Sequence, residues 1–152
     1  MEENSRQSRL MRIKPYLSAL KNKEEQKINK NKGSLLILMQ DLKDEGNTLF
    51  KESKFKEAWE YYHHALFVAD ILEESFYHCV EKEFLATLFC NASLCCIKIN
   101  DYESALKDAE KALELQEKNI KAFYRKSLAL KELGRHKEAL KVALQGKVID
   151  SK

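Results

Sequence analysis

Five residues in this 152-residue chain have the types and spacing to grip carboxylates: Lys43, Asn47, Asn91, Lys121 and Arg125. Lys43 and Asn47 are four apart, as are Lys121 and Arg125, so on a helix each pair shares one face. Asn91 and Arg125 each stand two residues before a serine, Ser93 and Ser127. Three fixed positive charges attract an anion, and two side-chain amides donate hydrogen bonds without adding repulsion. The planar guanidinium of Arg125 suits bidentate capture, whereas the lysines act as point charges. A C-terminal residue with an acidic side chain presents two carboxylates close together, which is the ligand this set fits. Lys98, further along the face that carries Asn91, is placed for an acidic residue upstream. Phe50, beside Asn47, offers an apolar wall to a side chain the size of valine.

Such a set works only if helices hold it, and the sequence supplies them as a repeat. Ala58, Ala105 and Ala139 anchor three copies of one pattern. Twelve residues before each is a small residue (Gly46, Ser93, Ser127), and five before each is a turn-former (Ser53, Asn100, Gly134). Seven after each is another small residue: Ala65, Ala112, Gly146. Small side chains at fixed offsets let neighbouring helices approach closely. Ala105 and Ala139 are 34 residues apart, the period of the tetratricopeptide (TPR) helix pair. The step from Ala58 to Ala105 is 13 residues longer, an insertion most simply placed at 71–83. With no Gly or Pro in it, this stretch is expected to lengthen the second helix of repeat one and the first helix of repeat two. The expected fold is therefore all-α, a right-handed TPR superhelix of three antiparallel pairs over residues 35–151, whose first helices line a concave groove. Stacking would bring Lys43, Asn47, Asn91, Lys121 and Arg125 together in that groove.

The predicted pairs run from Ser34, as N-cap, to Glu52 and from Phe55 to Leu72 or beyond; from Lys82 to Ile99 and Tyr102 to Leu115; and from Ile120 to Leu133 and His136 to Ile149. Asn100-Asp101 reads as turn and cap, and Gly134 as a helix stop.

The segments LKDEGNTLFK, NASLCCIK and KAFYRK resemble the TPR domains of carboxylate-clamp co-chaperones. In that family the matching Lys and Asn of repeat one, Asn of repeat two, and Lys and Arg of repeat three hold the Glu-Glu-Val-Asp tail of cytosolic heat-shock chaperones. All five positions carry the family's residue types here. The resemblance implies a co-chaperone-like adaptor whose partners are the C-terminal tails of heat-shock protein 90 or heat-shock protein 70, in the cytoplasm or nucleus. GNTLFKESKFKEAWEYYHHALFVAD and RKSLALKELGRHKEA are also similar to the N-terminal TPR region of CCCH zinc-finger proteins and to immunophilin co-chaperones. That second likeness implies an alternative, a scaffold taking a different protein ligand in an RNA-processing or other multiprotein assembly.

Composition narrows the remaining classes. One Pro, four Gly and long Ala-, Leu-, Glu- and Lys-rich runs argue an almost wholly helical chain. The longest apolar run, 35–39, is far short of a membrane span. No nucleophile–base set, Gly-rich phosphate loop or paired metal motif accompanies His63, His64 or His136, so neither enzymatic activity nor a cofactor or metal is expected. Cys79, Cys90, Cys95 and Cys96 lie in helical pattern without zinc-finger spacing, and read as reduced packing residues. Tyr61, Tyr62, Phe67, Phe76, Tyr77, Phe84 and Phe89 read as core or inter-repeat packing, and Trp59 as a partly exposed second contact point.

The chain is asymmetric in charge. Residues 1–34 hold nine Lys or Arg against four Glu, while the rest is slightly acidic. This leading segment reads as a basic, mostly flexible arm whose only partner in prospect beyond protein is weakly held nucleic acid. Leu10, Ile13, Leu17 and Leu20 have near-helical spacing and allow one helix in it. At the other end Leu140, Leu144 and Val148 lack a further helix to cover them, which points to a piece excised from a longer protein.

Overall fold

The computed structural model describes residues 2–151; Met1, assigned above to the leading segment, and Lys152 lie outside them. Among the described residues there is no strand, and no helix is long and apolar enough to cross a membrane. The chain forms two compact units, residues 1–81 and 82–152.

The first unit is built on one long helix pair, α3 (Lys32–Lys51) and α4 (Phe55–Ser75), preceded by two short helices, α1 (Glu2–Ile13) and α2 (Leu17–Lys21). The N-cap of α3 lies three residues earlier than the sequence suggested. Asn31, not Ser34, is its N-cap: the Asn31 side chain accepts from the backbone N–H of Ser34 at 3.0 Å. Gly46 faces the ring of Tyr62 on α4, and a Cβ at Gly46 would lie 2.7 Å from it. Glycine is required there because a fully buried tyrosine occupies the space a side chain would need.

In the leading segment, where the sequence allowed one helix, two are formed, α1 and α2. Helix α1 packs on α3 through charge rather than through an apolar stripe. Arg6 Nε donates to Glu45 at 2.8 Å and its terminal nitrogens to Glu52; Arg12 grips Asp41 with two bonds of 2.7 and 2.9 Å. Arg9 donates to the Thr48 hydroxyl at 2.9 Å and lies 3.6 Å from Glu45. Arginines spaced three apart thus meet carboxylates on one face of α3. Of the apolar set, Ile13 and Leu20 are buried and Leu10 is exposed. Pro15 sits at the start of a single 3-10 turn, Lys14–Tyr16, where it forfeits no helix hydrogen bond. Ile28 is buried and pins the lysine-rich stretch before α3, which makes its own 3-10 turn at Glu25–Lys27.

The insertion lengthens both helices that flank it: α4 runs to Ser75, and the next helix starts at Lys82, earlier in its repeat than the first helix of repeat three. Between them, where the sequence showed no break, residues 76–81 form a turn, with His78 in the left-handed region at φ 59°. The Glu73 carboxylate holds this turn by accepting from the backbone N–H of Val80 at 2.8 Å and of His78 at 3.3 Å. Tyr77, read as a packing residue, is 83% exposed on it, against the ring of His78. A carboxylate from the preceding helix has stood in for the missing Gly or Pro.

The second unit holds two helix pairs: α5 (Lys82–Lys98) with α6 (Tyr102–Leu115), and α7 (Ile120–Glu132) with α8 (His136–Asp150). Asp101 and Asn119 cap α6 and α7, their side chains accepting from Ser104 and Ala122 N–H groups. Here the close-approach positions carry serines that do more than stay small. Ser93 Oγ donates to the Ala105 carbonyl at 2.7 Å, and Ser127 Oγ to the Ala139 carbonyl at 2.9 Å, tying each pair across its crossing point. All three turn-formers adopt positive φ: Ser53 at 60°, Asn100 at 61° and Gly134 at 81°. The recurrent turn is therefore a left-handed residue ending each first helix. Cys90, Cys95 and Cys96 are buried, as their packing role required, and burial pushes the Cys95 thiol up to about 12.

The last pair leaves an apolar face in solvent. Leu140, Leu144 and Val148 are 62%, 53% and 54% exposed, and with Phe123, Ile149 and the stems of Lys137 and Lys141 they line an open groove.

Candidate functional site

In the first unit Lys43, Asn47 and Phe50 lie along one face of α3, spaced four and three residues apart. All three are half-buried, so their helix positions them while their tips stay reachable. Asn47 is fixed by Tyr62, whose hydroxyl donates to Asn47 Oδ1 at 2.6 Å. With its oxygen so engaged, what the Asn47 amide can offer a ligand is its NH2 group, a donor. The Gly46–Tyr62 packing is thus linked to the site: the ring that fills the glycine's space also orients the next residue's side chain. Phe50 meets Phe55 edge to face at 5.1 Å, which holds its apolar wall in place.

The second unit carries Asn91 and Lys98 on α5, and Lys121 and Arg125 on α7. Lys121 and Lys98 are exposed, whereas Asn91 and Arg125 are half-buried. Within this unit α5 and α7 are packed neighbours. Arg125 Nη1 reaches α5 and donates to the Cys90 sulfur at 3.3 Å, one residue before Asn91. Asn91 and Arg125, matched by their offsets in the repeat, thus stand on helices joined by a contact at the residue next to Asn91. The Arg125 Nε is buried with no hydrogen-bond partner among the described residues. Burial pushes the Cys90 thiol up, although Arg125 and Lys121 beside it oppose the shift. At neutral pH the sulfur is a neutral acceptor and leaves the guanidinium charge intact.

Two supporting residues were not found from the sequence. Tyr62 passed as a core aromatic, and only the Gly46 twelve residues before Ala58, glycine where the later repeats have serine, hints that a ring fills the gap. Cys90 passed as packing; no local signal marks its partner, which is 35 residues away.

The nine basic residues of the leading segment are less available to an external anion than composition implied. Arg6, Arg9 and Arg12 are turned onto the carboxylates of α3. Trp59, the suggested second contact point, is half-buried and stacks on His63 with ring centroids 4.3 Å apart.

No family model matches the chain. The chain is 45% identical over 105 residues to human zinc finger CCCH domain-containing protein 7B, covering 69% of this chain and 11% of that protein. It is 31% identical over 106 residues to the Hsp70/Hsp90 co-chaperone CNS1 of Saccharomyces cerevisiae, covering 70% of this chain and 25% of that protein. It therefore spans only about a tenth to a quarter of the length of these relatives. Among solved structures it is similar to Hsp90 co-chaperone Cns1 from Saccharomyces cerevisiae (TM-score 0.59, 28% identity, 77% of this chain and 39% of that one). It is also similar to the C-terminal TPR-containing domain of a Plasmodium falciparum FK506-binding protein (TM-score 0.68, 22% identity, 82% and 84%). Antiparallel helix pairs joined by left-handed turns, close-approach positions at constant offsets and likeness to a solved TPR-containing domain give one conclusion: the chain has the tetratricopeptide-repeat fold.

Proposed function

We propose that this chain is a protein-interaction adaptor of the co-chaperone type, which captures an acidic C-terminal peptide of the Glu-Glu-Val-Asp kind from heat-shock protein 90 or heat-shock protein 70. The observation that carries the reading is the arrangement of cations and amides on first helices. Lys121 and Arg125 share a face of α7 with Arg125 held against the turn that carries Asn91, and Lys43 and Asn47 share a face of α3 with Asn47 oriented by Tyr62. In this reading both half-sets act on one ligand. Arg125 and Lys121 take carboxylates of the terminal residue, the asparagines donate to the peptide, Lys98 takes an upstream Glu and Phe50 contacts the Val. Likeness to a protein named as an Hsp70/Hsp90 co-chaperone supports the choice of partner.

The competing reading is a scaffold that takes another protein ligand in a multiprotein assembly such as one that processes RNA. The 45% identity to a CCCH zinc-finger protein favours it. Calorimetry separates the two. A free peptide ending in Glu-Glu-Val-Asp is expected to bind with micromolar affinity, roughly −7 to −8 kcal/mol, and to lose most of it when its terminal carboxylate is amidated. Equal affinity of the acid and amide forms would reject carboxylate capture and leave the scaffold.

A further inference from the structure

The sulfur of Cys90 is the unexpected atom in this site. A guanidinium that must grip a carboxylate needs its orientation fixed in advance, and a protein carboxylate is the usual way to fix it. That solution would cancel the charge the ligand has to meet. Here the acceptor is a thiol 3.3 Å from Arg125 Nη1, on a residue only 4% exposed. The thiol is braced in turn from the start of α7, where it points to Asn119 Oδ1 at 3.9 Å, the same oxygen that caps the helix by accepting from Ala122 N–H at 3.0 Å. Arg125 Nε is shielded and has no partner among the described residues, so the sulfur contact at Nη1 is what sets the plane of the group.

We propose that Cys90 is a positioning residue for carboxylate recognition, a neutral buried acceptor that orients the Arg125 guanidinium and leaves its full charge for the ligand. This rests on the carboxylate-capture reading above and adds the group that pre-organises it. Ordering Arg125 before the ligand arrives lowers the entropy lost on binding, so the benefit appears in affinity for the acid form. The neighbouring cysteine Cys96 is also buried, but its thiol turns to Asp108, 4.0 Å away.

The test uses Cys90→Ala, which removes the acceptor, and Cys90→Ser, which restores one of similar size, with two readouts. The first requires no peptide: the Arg125 Nε–H resonance, assigned by its loss in Arg125→Lys, is followed by nitrogen-15 NMR for guanidinium rotation and hydrogen exchange. Both should be slow in the parent and in Cys90→Ser, and at least several-fold faster in Cys90→Ala. The second is calorimetry with a peptide ending in Glu-Glu-Val-Asp, as acid and as amide. Cys90→Ala should bind the acid about five- to tenfold more weakly, Cys90→Ser should recover to within about twofold, and the amide should be insensitive to both. Unchanged Arg125 dynamics in Cys90→Ala overturn the positioning role whatever the peptide does. Altered dynamics with no distinction between acid and amide in the parent protein overturn the carboxylate reading instead. If Cys90→Ser behaves like Cys90→Ala in both readouts with an unchanged melting temperature, the hydrogen bond is not what matters and the proposal fails.

Discussion

The first unit covers the outer face of its first long helix, and the second leaves the outer face of its last helix in solvent. In the first, the outer face of α3 carries Asp41 and Glu45, with Glu52 just past its end, and α1 covers it with three arginines. In the second, the outer face of α8 carries Leu140, Leu144 and Val148, all more than half exposed, and lysines flank the groove they form. The contrast repeats at the helix crossings. Gly46 yields its space to the Tyr62 ring, whereas Ser93 and Ser127 fill theirs and hydrogen-bond to the facing carbonyls. One repeat pattern therefore accommodates two kinds of packing, because it specifies only that a crossing residue be small. What completes the crossing is chosen separately: a large apolar ring or a short polar tether.

The charged end is the easier to break. Glu45 is 1% exposed and faces Arg6 and Arg9, so Glu45→Ala takes an acceptor from each and leaves Arg6 only Glu52 and Arg9 only the Thr48 hydroxyl. A loss of about 3 kcal/mol is expected, the low end for removing one partner of a buried pair, because both arginines keep a second acceptor. Urea unfolding would measure it, and hydrogen exchange should show α1 opening first. A change below about 1 kcal/mol would mean that α1 is a surface ornament and the contrast between the two units is false.

Acid should produce the next largest effect, again in the first unit. His64 on α4 is mostly buried, and burial first, then Lys21 and His63, hold it down to about 4 from its ordinary 6.5. The unfolded chain binds that proton more readily between these values, so the His64 contribution is intact above about 6.5 and is lost as pH falls toward 4. A cost on the order of 2 kcal/mol at pH 4 is expected, with full neutrality at pH 7. Comparing denaturant midpoints at the two pH values for the parent and His64→Gln isolates it, since the variant should show a flatter dependence. An equal dependence in both would place the acid sensitivity elsewhere.

The polar tether in the second unit is a smaller matter. Ser93→Ala removes the donor to the Ala105 carbonyl at a fully buried crossing. About 1 kcal/mol should be lost, typical of one neutral hydrogen bond, readable as a lower thermal midpoint. The bare face should respond least. Leu144→Gln is expected to shift stability by less than about 0.5 kcal/mol, because a half-exposed leucine with solvent on its outer side has little burial to lose. A loss above about 2 kcal/mol would show that this face is packed in solution.

Local chemistry accounts for how much of the fold could be read in advance. Helix α6 has the boundaries read from sequence, Tyr102–Leu115, because Asp101 and Asn100 are a cap and a left-handed turn whatever surrounds them. The N-cap of α3 lies three residues from the one read in sequence because Asn31 and Ser34 are both good caps, and the outcome turned on one bond, from the Ser34 N–H to the Asn31 side chain. The turn at 76–81 was missed for a different reason. It contains neither Gly nor Pro, and its stabiliser is a carboxylate five to seven residues back on α4.

The sequence by itself determined the repeat: small residues at constant offsets, turn-formers that take positive φ, and cations and amides on the faces of first helices. Each of these is enforced within about a dozen residues, so pattern alone exposes it. Only the tertiary structure decided what the polar residues do. Arg6, Arg9 and Arg12 lack an apolar stripe and look like a solvated arm until Asp41, Glu45 and Glu52, 29 to 46 residues later, are brought against them. Cys90 looks like any packed cysteine until Arg125, 35 residues on, turns its guanidinium to the sulfur. A charge or a thiol has no periodic signature of its own; its role depends on which partner lies within hydrogen-bonding distance, and folding alone settles that distance.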